Sequence, residues 1–287
     1  MINNELLSAS LLGLVQGITE FLPVSSTGHL ILTSSLLGLH GDAIKTFEVF
    51  IQLGSILAVL VLYRQRFIRL LLPGSAAAGN VSKTESPTDK SGGGPQSPVF
   101  AGLYGLWLLF LTCLPAGLLG FFAHSLIKTY LFNPLTVALA LAAGAILMLL
   151  LERCKRPARV NGLDQLTPKL ALGIGFCQCL SLWPGFSRSA STIMGGMWLG
   201  ADRKTAAEYS FIAAVPIMFA ATAFDLFKNW GGIGSEHIAF FAVGFLVSFL
   251  AALAAIKIFI GLVGRIGLAP FAWYRLALAP LVYWFFW

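Results

Sequence analysis

A helix needs about 20 mostly apolar residues to cross a bilayer, and this chain is assembled from runs of about that length. Apolar stretches lie at residues 47–63, 99–122, 135–151, 206–227, 238–260 and 270–287. Only 11% of the 287 residues are charged against 57% hydrophobic, whereas a soluble domain carries about 25% charge. The short alternating segments of a membrane β-barrel are absent. The expected class is an all-α polytopic membrane protein.

The few charges are unevenly spread. The formal net charge is +7, and the basic residues cluster between apolar stretches: Arg64, Arg66 and Arg69, then Arg153, Lys155, Arg156 and Arg159. That is the positive-inside pattern of cytoplasmic loops, which accounts for the basic balance without nucleic acid as a partner. Cys113, Cys154, Cys177 and Cys179 form no CxxC pair and have no histidine cluster beside them, so they read as small core residues. The N-terminus has no basic n-region and no evident cleavage site. Residues 73–98 are rich in Gly, Ser and Pro and read as a flexible polar loop.

Two further apolar blocks, 6–39 and 170–199, are interrupted by polar sequence. One contains GLVQGITEFLPVSSTGHL, the other GFCQCLSLWPGFSRSAST. Each opens Gly-x-x-Gln, reaches a proline and then a serine cluster, and each is followed by a glutamate opening the next apolar stretch. The offsets are 162 for Gln16 and Gln178, 161 for Pro23 and Pro184, and 160 for Glu48 and Glu208. Near-constant offsets argue for an internal repeat, about 6–151 and 170–287. A broken block that enters and leaves on one side adds no crossing. Each half then has three true spans, an odd number, and the second half is inverted relative to the first. The expected fold has six transmembrane helices and two re-entrant broken-helix hairpins in one integral membrane unit. Loops 64–98, 152–169 and 200–205 then share one basic face.

Irregular backbone at membrane depth must be buried in protein or line a wet cavity. Pro23 and Pro184 lack an N–H and favour the first turn of a new helix, so each block reads as two half-helices, the second starting just past the proline. Ser25 or Ser26 is placed to cap one, and Ser187 or Ser189 to open the other. Two helix N-termini meeting at the centre make an anion site. Arg188, costly in an apolar block unless partnered, has a planar fork that suits phosphate, and Ser187, Ser189 and Thr192 lie within a turn of it. Gln16 and Glu20 share a helix face, and Glu20 fits a general base or a cation ligand. Ser26 and His29 also share a face, a hydroxyl beside an imidazole. The set suggests phosphoryl transfer: a serine attacks phosphorus, Arg188 and the helix N-termini hold the charge, and His29 or Glu20 moves protons. The plainer readings are structural pairing for Arg188, loop capping by Glu20 and a structural Ser26–His29 hydrogen bond.

QGITEFLPVSSTGHLIL and WPGFSRSASTIMGG resemble the two signature motifs of the bacterial undecaprenyl-diphosphate phosphatases, the bacitracin-resistance family. Gln16 and Glu20 meet the (Glu/Gln)-x-x-x-Glu pattern, with Gln16 where many members have glutamate. Pro184, Gly185, Ser187, Arg188, Ser189 and Thr192 meet the second. The resemblance implies removal of the terminal phosphate from the C55 isoprenoid diphosphate, recycling the lipid carrier of cell-wall synthesis in the bacterial inner membrane, with the site facing the periplasm. By position it makes Ser26 the nucleophile, assisted by Glu20 and His29, with Arg188, Ser187, Ser189 and Thr192 cradling the diphosphate. Gln16, Ser25 and Thr27 complete the substrate-binding set. The family's activity is helped by Mg²⁺ or Ca²⁺, for which Gln16 and Glu20 are the ligand pair offered here. A second copy of the chain is kept as a candidate partner.

The rival from another class is a flippase for a phosphorylated polyprenyl lipid, since inverted repeats with broken helices are a transporter architecture. An intramembrane serine protease lacks its Gly-x-Ser-x-Gly elbow here, because Ser189 stands at the last position. A type-2 phosphatidic-acid-phosphatase element fails because Met194 stands where its histidine belongs.

Overall fold

The computed structural model describes residues 2–72, 100–154, 156–229 and 238–286; the expected loop 73–98 lies outside them. The described residues are helical apart from short connections and one isolated bridge between Val160 and Ala201. The helices are α1 (Ile2–Thr19), α2 (Ser26–Leu36), α3 (Asp42–Leu62), α4 (Arg64–Leu71), α5 (Gly102–Leu126), α6 (Pro134–Arg153), α7 (Pro168–Gln178), α8 (Arg188–Trp198), α9 (Arg203–Asn229), α10 (Ile238–Ile266) and α11 (Ala269–Phe286). Among the described residues, five helices are long and apolar enough to cross a membrane: α3, α5, α6, α9 and α10. The sixth expected span is α11, eighteen residues with Arg275 at its middle.

Both broken blocks are broken where the prolines and serines stand, with two refinements. First, α1 runs a full eighteen residues, longer than a half-helix, because nothing from Ile2 to Thr19 interrupts it. By contrast α7 has eleven, starting after the Thr167 cap and Pro168. Second, the new helices do not start directly past the prolines. α2 starts at Ser26 and α8 at Arg188, each behind a serine N-cap: Ser25 Oγ accepts from Gly28 N and Ser187 Oγ from Ala190 N. Ser25 (φ 73°) and Ser187 (φ 79°) are the non-glycine residues with left-handed φ among those described. Such a conformation costs on the order of 1–3 kcal/mol and persists where the surroundings over-determine it.

The packing pairs also come in matched sets. α1 lies along α10 as α7 lies along α5; α2 meets α11 as α8 meets α6; α3 crosses α9, and α6 packs on α11. Gly13 and Gly17 let the α1 backbone press on Gly244 and Ser248 of α10, so close that a Cβ at Gly13 would overlap the Gly244 carbonyl. Small residues at a contact are how membrane helices come together without a hydrophobic driving force.

The basic segments gather on one face. Arg66 of α4 pairs with Asp164 at 3.7 Å. Arg156 donates to the Trp198 carbonyl and sits over its ring. Glu152 at the end of α6 pairs with Arg203 at the start of α9 and accepts from Leu268 N between α10 and α11.

Candidate active site

At the meeting point of the two breaks, Glu20 follows directly on α1 and joins the first residues of the two new helices. Its Oε2 accepts from Ser26 Oγ at 2.8 Å and from Gln16 Nε2 at 3.0 Å. Its Oε1 accepts from Arg188 Nη2 at 3.3 Å. Ser26 and Arg188 are each the first residue of their helix, so the free N–H groups and positive dipole ends of α2 and α8 belong to the same site. The side chains of Glu20 and Arg188 are only 7% and 12% exposed. A buried carboxylate and guanidinium hold each other's charge in place, and removing either strands the other.

Arg188 is clamped further. Nη1 donates to the carbonyl and hydroxyl of Ser210 at 3.1 and 3.3 Å, and the guanidinium lies 5.6 Å from the centre of the Phe21 ring. Its Nε is buried and has no hydrogen-bond partner among the described residues; the same holds for Gln16 Oε1. An orphaned buried N–H costs about 1–3 kcal/mol, and a phosphate oxygen is a ligand that satisfies it.

The remaining candidates separate by what they touch. Ser189 Oγ donates to the Leu22 carbonyl at 2.9 Å, tying α8 to the first break, and also contacts Ser187 Oγ at 3.0 Å. Thr192 Oγ1 pairs with Ser210 Oγ at 2.6 Å. Both residues are buried and their hydroxyls hold the frame around Arg188. Ser25 and Ser187 serve as caps, and Thr27 stands half-buried one residue along from Ser26. His29 turns away from Ser26: its Nδ1 lies 2.7 Å from the Ser25 carbonyl and its Nε2 2.7 Å from the Tyr274 hydroxyl. The hydroxyl–imidazole arrangement expected from the Ser26, His29 spacing is therefore replaced by a hydroxyl–carboxylate one. A helical i, i+3 spacing sets the face and leaves the rotamer open.

Two residues escaped the sequence reading. Ser210, the bridge between Arg188 and Thr192, carries no sequence signal that would single it out. Arg275 did carry one, a lone arginine in an apolar stretch. It is fully buried and donates to the Pro23 and Gly185 carbonyls, one from each break, at 3.4 and 3.2 Å, and to Ala140 and Leu141 of α6. Gly144 gives it room, since a Cβ there would collide with the guanidinium. Arg275→Leu is expected to leave the two break carbonyls unpaired, at about 1–3 kcal/mol each, and to lower the melting temperature in detergent. An unchanged melting temperature would show that the breaks do not depend on it.

The class defined by this fold and site is an all-α polytopic membrane protein with a buried hydroxyl–carboxylate–guanidinium centre between two helix N-termini. The family model of bacitracin resistance protein BacA matches residues 9–281. The chain is 59% identical over 282 residues to an undecaprenyl-diphosphatase of Nitratidesulfovibrio vulgaris (strain DP4), covering 98% of each. It is 58% identical over 283 residues to that of Maridesulfovibrio salexigens, covering 99% of each. Against undecaprenyl-diphosphatase 1 of Bacillus cereus it is 45% identical over 278 residues, 97% of each. The chain belongs to the bacitracin resistance protein BacA family.

Proposed function

We propose that the chain is an undecaprenyl-diphosphate phosphatase, releasing inorganic phosphate and returning undecaprenyl phosphate to cell-wall synthesis, and with it supporting resistance to bacitracin. The observation that carries the reading is Ser26 Oγ donating to Glu20 at 2.8 Å while Arg188 holds the other carboxylate oxygen. In the reaction, Ser26 Oγ attacks the terminal phosphorus and its proton passes to Glu20. The bond from that phosphorus to the bridging oxygen breaks, and the lipid monophosphate leaves with the electron pair. Glu20 hands that proton to the departing monophosphate and is a carboxylate again. Water then attacks the phosphoserine, its proton passes by way of Glu20 to Ser26 Oγ as the Oγ–phosphorus bond breaks, and phosphate departs. Arg188 and the N–H groups opening α2 and α8 face the charge that develops on the phosphoryl oxygens.

A divalent cation would use the Glu20 carboxylate and the unpartnered Gln16 Oε1. Among the described residues no three His, Cys, Asp or Glu side chains cluster as a metal site. Such an ion would be held by these two side chains together with substrate phosphate and water, as is common for Mg²⁺, and would neutralise phosphate charge. A lipid carrier would have use for Arg188 but none for a serine hydroxyl set on a carboxylate.

The site belongs on the face opposite the basic loops, the periplasmic side of the inner membrane. The test is phosphate release from undecaprenyl diphosphate by the purified protein in detergent. Release is expected, and its absence with and without Mg²⁺ or Ca²⁺ would return the carrier reading.

A further inference from the structure

His29 does a job that the other half of the molecule performs with a different side chain. Its backbone N donates to the Ser25 carbonyl at 3.4 Å and its Nδ1 contacts the same oxygen at 2.7 Å. In the second half the matching cap is Ser187, and the residue four positions on is Ser191. Its N and Oγ donate to the Ser187 carbonyl at 3.0 and 2.9 Å. Ser25 with Ser187, and His29 with Ser191, are each 162 residues apart, as are Gln16 and Gln178. Both caps are the left-handed serines. At both, then, a side chain one turn on holds the carbonyl of a residue in a sparsely populated conformation.

The imidazole differs in being braced from outside. A carbonyl oxygen only accepts, so Nδ1 carries the proton in either charge state of the ring. Nε2 is taken by the Tyr274 hydroxyl at 2.7 Å, and the two rings stack 7° from parallel with centres 5.5 Å apart. Ser191 is buried and needs no brace, whereas His29 is half-buried and Tyr274 is 49% exposed on α11. Neither imidazole nitrogen is turned to Ser26, whose hydroxyl is on Glu20.

We propose that Tyr274 is a positioning residue: with His29 it clamps the Ser25 carbonyl, and so fixes the N-cap that sets Ser26 against Glu20. This rests on Ser26 being the reacting hydroxyl. A serine at position 29 can rebuild the second half's arrangement, because Ser in a helix bonds the carbonyl four residues back.

The experiment measures kcat and KM for undecaprenyl diphosphate in the parent and four variants that elute as folded protein: His29→Ala, His29→Ser, Tyr274→Phe and His29→Ser with Tyr274→Phe. Loss of the clamp in His29→Ala is expected to lower kcat about tenfold or more at near-parental KM, and His29→Ser to return within about threefold of the parent. Tyr274→Phe should lower kcat about fivefold, the worth of one hydrogen bond, and should do nothing further in the His29→Ser background. The proposal is overturned if His29→Ser is as slow as His29→Ala, which would make the imidazole a proton carrier. It is equally overturned if KM moves in place of kcat, or if Tyr274→Phe costs the same in both backgrounds. Ser26→Ala measured alongside separates the failures: parental turnover there sinks the nucleophile assignment, while loss there with a slow His29→Ser sinks only the clamp.

Discussion

Arg188→Ala is expected to lower phosphate release by about a thousandfold or more, the scale seen when an arginine on a transferring phosphoryl group is removed. Two effects combine. The charge facing the phosphate is lost, and Glu20, 7% exposed, is left as a buried carboxylate without its cation. The second effect costs about 3–5 kcal/mol of stability by itself, so the single variant is expected to melt earlier in detergent as well as turn over slowly. The stability effect is isolated in the double variant Arg188→Ala with Glu20→Gln, which carries no stranded charge and should recover much of the melting temperature. Its turnover says nothing of Arg188, because Glu20 is itself the base. The effect on the phosphate is read from the rate per folded molecule of Arg188→Ala, measured below its melting transition. If that rate were parental, Arg188 would be holding the fold and not the phosphate. Arg188→Lys keeps the charge but cannot reach Ser210, Glu20 and the substrate with one ammonium, and should fall between the two.

The chain's outline follows from simple signals. Apolar length located the ends of α3, α5, α6, α9 and α10 to within six residues, and the interrupted blocks located both breaks. Offsets of 160 to 162 residues argue for an internal repeat, and the described helices pack in matched pairs. An offset of 162 also relates Ser25 to Ser187, Ser26 to Arg188 and His29 to Ser191.

What sequence does not carry is the direction of a side chain. Gln16 and Glu20 met as their spacing required, because both lie on one helical face. Ser26 and His29 also share a face, yet the imidazole found a carbonyl and a phenol, the latter from Tyr274, 245 residues away. Choosing Ser25 over Ser26 as the cap depended on a left-handed φ that propensity alone does not forecast for serine. Arg275 was visible as an anomaly, but its partners are backbone carbonyls, which leave no trace in a sequence.

The proposed mechanism turns on one step, the attack of Ser26 Oγ, activated by Glu20, on the phosphorus. Ser26→Ala removes that oxygen and little else: Glu20 keeps Gln16 and Arg188, and the Ser25 cap is untouched. The variant should therefore fold and bind substrate like the parent. Phosphate release should drop by at least about a thousandfold, since what is left to a site without its nucleophile is binding and charge stabilisation. The measurement is the rate of phosphate release from undecaprenyl diphosphate by folded Ser26→Ala beside the parent at saturating substrate. A thousandfold loss at unchanged melting temperature is the predicted result; release within a few-fold of the parental rate would contradict the mechanism and leave water or another hydroxyl as the attacking group.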